Sequence, residues 1–137
     1  MDETGGYSGT PLVKKLGIKE GNSILIVNPP DNYIELLGGL PPNIHRALPG
    51  EINIDFIHYF ETSLSTFEQK FFQLKEQLTR DGMLWISWPK GSSKVETDLN
   101  RDIIREYILH TDMVDIKVFS VDEIWSGLKF MIRKELR

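Results

Sequence analysis

The chain has 137 residues, of which 16 are Lys or Arg and 20 are Asp or Glu, so its formal net charge is -4. This length supports one domain, and the acidic balance disfavours proteins that bind nucleic acid or anionic membranes through a basic surface. The sequence contains no cysteine, which excludes disulfides and thiolate zinc sites and is typical of cytoplasmic proteins. We therefore expect a cytoplasmic protein with neither a nucleic-acid nor a membrane partner.

The first third of the chain predicts a lead-in, two short helices and one strand. Residues 1–10 are rich in glycine and polar residues, which indicates a flexible segment. Pro11 can begin a helix without losing a hydrogen bond, so we predict a helix over Leu12–Leu16, ended by the following glycine. Ser23–Val27 is a short apolar run that predicts a buried strand. Tyr33–Leu37, followed by two glycines, predicts a second short helix.

The middle of the chain predicts two strands and a long amphipathic helix. Ile44–Leu48 predicts a brief edge strand, and the almost continuous apolar run Ile54–Phe60 predicts a strand that is covered on both faces. Ser65, followed three residues later by a glutamate, is typical of a capping box. We therefore predict a helix that begins at Ser65 and ends at the turn Arg80–Gly82.

The last third predicts one more buried strand, a helix and two exposed strands. Met83–Trp88 is a strongly apolar run, and Asp98 precedes a segment with helical apolar spacing. Val114–Val118 and Leu128–Ile132 alternate apolar with charged residues, as antiparallel strands with one face in water do.

Alternating strands and helices predict one three-layer α/β domain over residues 1–137. Its sheet is expected to be mostly parallel, with an antiparallel C-terminal strand pair. The three histidines share no spacing that suits a metal ion, so we predict no metal site.

The second half of the chain resembles the closing half of a class I S-adenosylmethionine-dependent methyltransferase. The matching pieces are the strand Asp55–Phe60 with its helix, the turn Arg80–Gly82 before the strand Met83–Ser87, and the final antiparallel pair. Leu16–Leu25 also looks like the lead-in to the cofactor loop of that family. The resemblance implies a reduced methyltransferase-like topology.

Over nearly its full length, the chain resembles a family of small bacterial proteins defined only as a domain of unknown function. The matching pieces are Gly6–Leu12, Trp88-Pro89-Lys90, Thr97-Asp98-Leu99, Val114–Val118, Val121-Asp122-Glu123 and Trp125–Phe130. This resemblance implies a Rossmann-like fold and does not imply an activity.

The turn after the first strand differs from a methyltransferase cofactor loop. Asn28-Pro29-Pro30-Asp31 stands where glycines would let the backbone approach a cofactor. Prolines fix φ and lack an N–H donor. Asn28-Pro29-Pro30 is also similar to the Asn-Pro-Pro-aromatic motif of amino-group methyltransferases, but Asp31 occupies the aromatic position. We therefore interpret the segment as a rigid turn and expect no cofactor and no binding of S-adenosylmethionine.

Polar side chains are predicted to gather at the carboxyl ends of the strands, where open α/β sheets bind ligands. The candidate ligand-binding residues are Asn28, Asp31, Ser87, Lys90, Ser92, Ser93, Asp122 and Trp125. They converge if the strands Ser23–Val27 and Met83–Trp88 are neighbours. In the loop 90–94, two lysines and two hydroxyls suit a phosphate or carboxylate, and a solvated loop is the alternative. Trp125 either covers a pocket or folds back onto the sheet.

Two functions remain open. The first is a non-catalytic binding or regulatory module with a protein partner, on a methyltransferase-like scaffold that does not bind S-adenosylmethionine. The second is a small enzyme or sensor that binds an anionic small molecule at the carboxyl ends of the strands. No catalytic residue set is present in the sequence, so the first function is favoured and the enzyme question stays open. The sequence does not define the oligomeric state.

Overall fold

Six strands form a single sheet in the computed structural model, which describes residues 10–137. The strands are β1 (Ser23–Val27), β2 (His45–Arg46), β3 (Ile54–Phe60), β4 (Leu78–Pro89), β5 (Met113–Ser120) and β6 (Trp125–Ile132). The helices are α1 (Leu12–Leu16), α2 (Tyr33–Leu37), α3 (Leu64–Gln77) and α4 (Arg101–Leu109), and two 3₁₀ turns occupy Gly91–Ser93 and Lys134–Leu136.

The strand order is β2-β1-β3-β4-β6-β5. The first four strands are parallel, and β6 runs antiparallel to both β4 and β5. The predicted fold class is therefore confirmed: an α/β sheet that is mostly parallel and closes with an antiparallel pair. The weak edge strand expected near residues 44–48 is present as β2, which is two residues long.

Each face of the sheet is covered by its own apolar cluster. On one face, α3 and α4 contribute Phe67, Phe71 and Ile104. On the other face, α1 and α2 pack on a cluster that contains Trp85, whose indole N–H donates to the carbonyl of Leu16 at 2.8 Å. Covering both faces explains why β3 and β4 read as continuous apolar runs in the sequence.

Two predicted helix starts are wrong by two residues. Ser63, and not Ser65, caps α3 by accepting the N–H of Thr66 at 3.3 Å. Asn100, and not Asp98, caps α4. Asp98 instead accepts the N–H of Leu64 at 2.7 Å, so its carboxylate serves the N-terminus of α3. Several capping side chains stand close together in the sequence, and only the tertiary packing selects among them.

The turn predicted at Arg80–Gly82 is also wrong. The helix already ends at Gln77, and β4 begins at Leu78. The pairing of β4 with β3 is irregular between Ile54 and Phe56, so the turn-like residues form an irregular stretch inside the strand.

Residues 1–9 lie outside the described residues, and with them most of the predicted lead-in and the Gly6–Leu12 motif. The assignment of residues 1–137 to one domain stays a prediction. Within residues 10–137, no helix is long and apolar enough to cross a membrane.

Gly82→Ala is expected to destabilise the protein by about 1–3 kcal/mol because the added methyl group would overpack the core at this position. A Cβ atom there would lie 2.7 Å from a methyl carbon of Leu78 and 2.9 Å from the carbonyl oxygen of Ile54. Gly91→Ala is the control, because a Cβ at Gly91 would have no neighbour within 4 Å. Urea unfolding of both variants measures the difference, and equal unfolding midpoints would contradict this packing.

Candidate functional site

The chain reverses its direction across the sheet between β1 and β3. From β1 it passes through α2 to β2 on one side, and it then returns to β3 and β4 on the other side of β1. In open α/β sheets, such a topological switch point leaves a crevice outside the carboxyl ends of the strands, where ligands bind. Here Asn28 follows β1 and Glu61 follows β3, so these residues border the candidate site.

The turn after β1 begins with a left-handed residue. Asn28 has a φ of 56°, a conformation that glycine adopts freely and that asparagine tolerates better than most residues. Its side-chain amide donates to the carbonyl of Phe60 at 3.3 Å, across the end of β3. The carbonyl of Pro30 then accepts the N–H of Tyr33 at 3.0 Å. Asn28 therefore gives the turn a positive φ although no glycine stands there.

A buried chain of three polar side chains lies beside this turn. The hydroxyl of Tyr33 is 2.8 Å from Nδ1 of His58, and Nε2 of His58 is 2.8 Å from Oγ of Ser87. All three residues are buried. These hydrogen bonds link the first residue of α2 to β3 and β4, and they thereby fix the turn after β1 against the sheet.

The imidazole of His58 is neutral in the folded protein. Burial lowers the pKa of His58 to about 3, since desolvation disfavours the charged ring. A neutral ring has one N–H donor and one acceptor, so one neighbouring hydroxyl must donate to it and the other must accept from it. Burial also raises the pKa of the Tyr33 hydroxyl, which therefore keeps its proton.

A buried carboxylate that the sequence pattern did not single out lies at the carboxyl end of β3. Glu61 is only 9% exposed and accepts hydrogen bonds from the Tyr59 hydroxyl at 2.6 Å and from the N–H groups of Thr62 and Ser63 at 2.9 and 3.1 Å. Burial, together with the hydrogen bond to Glu61, raises the pKa of Tyr59. The sequence feature that could have identified Glu61 is an acidic residue directly after an apolar strand.

The candidate residues in the loop after β4 form hydrogen bonds mainly with neighbouring loop residues. The ammonium of Lys90 donates to the hydroxyl of Ser120 and to the carbonyl of Asp122. Ser93 donates to the carbonyl of Lys90 at 2.7 Å, whereas Ser92 is exposed. These contacts hold the loop that follows β4 against the loop between β5 and β6.

Trp125 folds back onto the end of β3. Its ring packs edge-on against Phe60, with 5.1 Å between the ring centroids, and the side chain is half-buried. Asp122 accepts the N–H groups of Ile124 and Trp125 at 2.9 and 2.7 Å, which fixes the start of β6. Asn28, Phe60 and Trp125 therefore lie in sequence across the carboxyl edge of the sheet.

The expected convergence of all the candidate residues is wrong. It required β1 and β4 to be neighbours, but β3 lies between them. Strands separated by one intervening strand lie about 10 Å apart. Asn28 and Asp31 therefore stand on one side of β3, and Lys90 stands on the other. Ser87 is fully buried and its hydroxyl is hydrogen-bonded to His58. It therefore helps to hold His58 and does not face a ligand. Within residues 10–137, no group of three or more acidic or histidine side chains could hold a metal ion.

Several solved structures with a similar fold are described as S-adenosylmethionine-dependent methyltransferases. An enzyme of this kind from Aquifex aeolicus is 18% identical, with a TM-score of 0.56 over 88% of this chain and 87% of the other. A TehB-like enzyme from Corynebacterium glutamicum is 13% identical, with a TM-score of 0.57 over 89% and 85%. A complex of DhpI with SAM and HEP is 10% identical, with a TM-score of 0.58 over 87% and 83%. No family model and no curated protein matches the sequence.

These neighbours confirm the methyltransferase-like fold and contradict the expected non-catalytic module that does not bind S-adenosylmethionine. The fold is shared with enzymes, one of which was solved as a complex with SAM. The physical error lay in treating Pro29 and Pro30 as the decisive residues. Asn28 directly follows β1, and its left-handed backbone begins the turn one residue before Pro29.

Tyr33→Phe is expected to destabilise the protein by about 1–3 kcal/mol, because it leaves a buried ring nitrogen of His58 without a partner. Tyr107→Phe is the matched control, since the exposed Tyr107 hydroxyl makes one long hydrogen bond of 3.4 Å. Urea unfolding measures both changes. Equal effects of the two substitutions would contradict a buried chain that depends on the Tyr33 hydroxyl.

The stability of the protein is expected to fall as the pH drops below 6.5. Because the pKa of His58 is about 3 when folded and about 6.5 when unfolded, only the unfolded state takes up a proton in this range. The free energy of unfolding should therefore decrease by about 1.2 kcal/mol between pH 6 and pH 5. Urea unfolding at several pH values measures this slope, and His58→Gln should remove it. A slope that persists in His58→Gln would assign the effect to other groups.

Proposed function

We propose that this protein binds S-adenosylmethionine in the crevice between β1 and β3 and acts as a methyltransferase. The observation that carries the proposal is the switch point itself. A left-handed turn after β1 faces the end of β3 in a sheet whose fold matches S-adenosylmethionine-dependent enzymes over most of both chains. The matches include DhpI complexes with SAH and with SAM and HEP.

The chemistry of the crevice suits a positively charged cofactor. Asp31 is an exposed carboxylate in the turn after β1, and carboxylates attract both the sulfonium and the amino group of S-adenosylmethionine. The half-buried ring of Trp125 lies at the same edge, and aromatic faces also attract cations. Of the predicted residues, we propose that Asn28, Asp31 and Trp125 contact the ligand and that Asp122 supports Trp125. When bound, the cofactor supplies an electrophilic methyl group.

The end of β2 departs from the methyltransferase pattern. β2 ends at Arg46 without a following carboxylate that could bind a ribose, and the next acidic residue, Glu51, is held by His45 at 2.8 Å. We therefore propose that the turn after β1 and the end of β3 contribute most of the binding free energy. The loop of Lys90, Ser92 and Ser93 would border the site without contacting the sulfonium.

The finer predictions from the sequence are proposals of the same kind. We propose membership of the small bacterial family whose motifs include Trp88-Pro89-Lys90 and Thr97-Asp98-Leu99, both of which lie in or after β4. The cytoplasmic location is supported by the absence of cysteine from the sequence. These motifs and this composition do not define the group that is methylated.

Calorimetry with S-adenosylmethionine and with S-adenosylhomocysteine tests the proposal. We expect micromolar binding by the full chain and an approximately tenfold loss for S-adenosylmethionine in Asp31→Ala, because a charge-assisted contact is removed. Asp81→Ala is the matched control, since Asp81 is also an exposed aspartate and lies in the first half of β4, away from its carboxyl end. Absence of binding at millimolar cofactor, or equal losses in the two variants, would overturn the proposal.

A further inference from the structure

Five positively charged residues gather on the face of the sheet that α1 covers. They come from α1, from the turn after it, from the last two strands and from the C-terminus. We call this set the basic patch: Lys15, Lys19, Lys117, Lys129 and Arg137. The patch stands out because the chain as a whole carries a net charge of -4.

The contacts of these residues show that they are close to one another. Lys117 on β5 lies directly opposite Lys129 on β6 in the antiparallel register. The ammonium groups of Lys15 and Lys117 lie 5.8 and 5.9 Å from the centroid of the same ring, that of Phe119. Partial burial, followed by the nearby charges of Lys117, Lys19 and Arg137, lowers the pKa of Lys129.

The basic patch is electrostatically unfavourable in the isolated protein. Like charges directly opposite each other on antiparallel strands are destabilising. Among the described residues, no carboxylate forms an ion pair with any member of the patch. By contrast, Arg105 on α4 pairs with Asp115 at 3.0 Å. A repulsive cluster of this kind is relieved when an anion with several charges binds to it.

An aromatic ring lies within the basic patch. Phe119 is half-buried and stacks on Trp85, with 4.8 Å between the ring centroids and 24° between the planes. The tryptophan therefore holds the ring in place beneath the ammonium groups of Lys15 and Lys117. A fixed ring bordered by cations is the arrangement by which proteins bind single-stranded nucleic acids, whose bases stack and whose phosphates pair with lysine.

We propose that the basic patch binds the phosphodiester backbone of a single-stranded nucleic acid, with a base stacking on Phe119 once the ammonium groups of Lys15 and Lys117 move from the ring onto the phosphates. The sequence-based expectation of no nucleic-acid partner used the net charge, which averages over the whole surface. The patch shows that the cations are not evenly distributed. This proposal goes beyond the proposed methyltransferase activity and does not require it, because binding to the patch is measured without cofactor.

A second copy of this chain is the competing occupant. A groove of about 580 Å³ between α3 and α4 is lined by Glu68, Asp102 and Glu106, on the opposite face of the sheet. These carboxylates could meet the basic patch of a neighbouring molecule. We favour the nucleic acid because Phe119 and the cations surround one position, whereas the acidic groove has an apolar floor that includes Ile103 and Tyr107.

Fluorescence anisotropy with a labelled 12-nucleotide oligouridine at low salt tests the proposal. We expect the wild-type protein to bind, with an affinity that falls steeply as salt rises. Lys117→Gln combined with Lys129→Gln should weaken binding roughly tenfold and reduce the salt dependence by about one contact per lysine. The melting temperature of this variant should be unchanged or higher, since the repulsion is removed, so misfolding cannot account for the loss. Lys70→Gln on α3 is the matched control and should bind as the wild type does.

Further measurements separate the outcomes. Oligodeoxyuridine and a duplex of the same length distinguish RNA from DNA and single strands from double strands. The calorimetric affinity of the double variant for S-adenosylmethionine should equal that of the wild type, which separates this proposal from the proposed function. Absence of salt-dependent binding, equal loss in Lys70→Gln, or a dimer in light scattering that the double variant abolishes would overturn the proposal.

Discussion

The rest of the site depends on one buried imidazole. His58 lies at the centre of β3 with no exposed surface, and its two ring nitrogens contact hydroxyls from α2 and from β4. Burying a polar ring without partners costs several kcal/mol, so the three elements must keep their mutual positions for the fold to persist. Because Tyr33 directly follows the turn after β1, the same constraint determines where that turn lies relative to the end of β3.

The turn after β1 shows that a backbone requirement differs from a residue requirement. The turn has a positive φ directly after the strand end, and glycine is the residue that adopts a positive φ at least cost. Asn28 provides the same φ and adds a side-chain hydrogen bond to Phe60, which compensates part of the strain. Pro29 and Pro30 follow at a point where the chain already turns towards α2. The loop therefore contains no glycine, although its first residue adopts a backbone conformation that glycine favours.

Periodicity predicted the elements well because it reports burial. The runs that became β1, β3 and β4, and the short helices α1 and α2, lie within a residue or two of their expected positions at most termini. Caps were less predictable, since Asp98 serves α3 from 34 residues away. The candidate site was predicted only in part. Adjacency in a sheet is a tertiary property, and the sequence alone did not show that β3 separates Asn28 from Lys90.

The distribution of charge follows from the same layered architecture. On the α3 and α4 side, the basic residues Lys75 and Arg105 pair with Asp112 and Asp115, so these two cations are neutralised by ion pairs. On the α1 side, α1 is only five residues long and leaves the surfaces of β5 and β6 partly uncovered, where lysines gather around Phe119. A short helix thus exposes a charged area of sheet that extends towards the amino edge, since Lys19 precedes β1 and Arg137 follows β6. A polyanion bound there would lie on the same face as α2 and the turn that borders the crevice, which connects the two proposed binding surfaces through one side of the sheet.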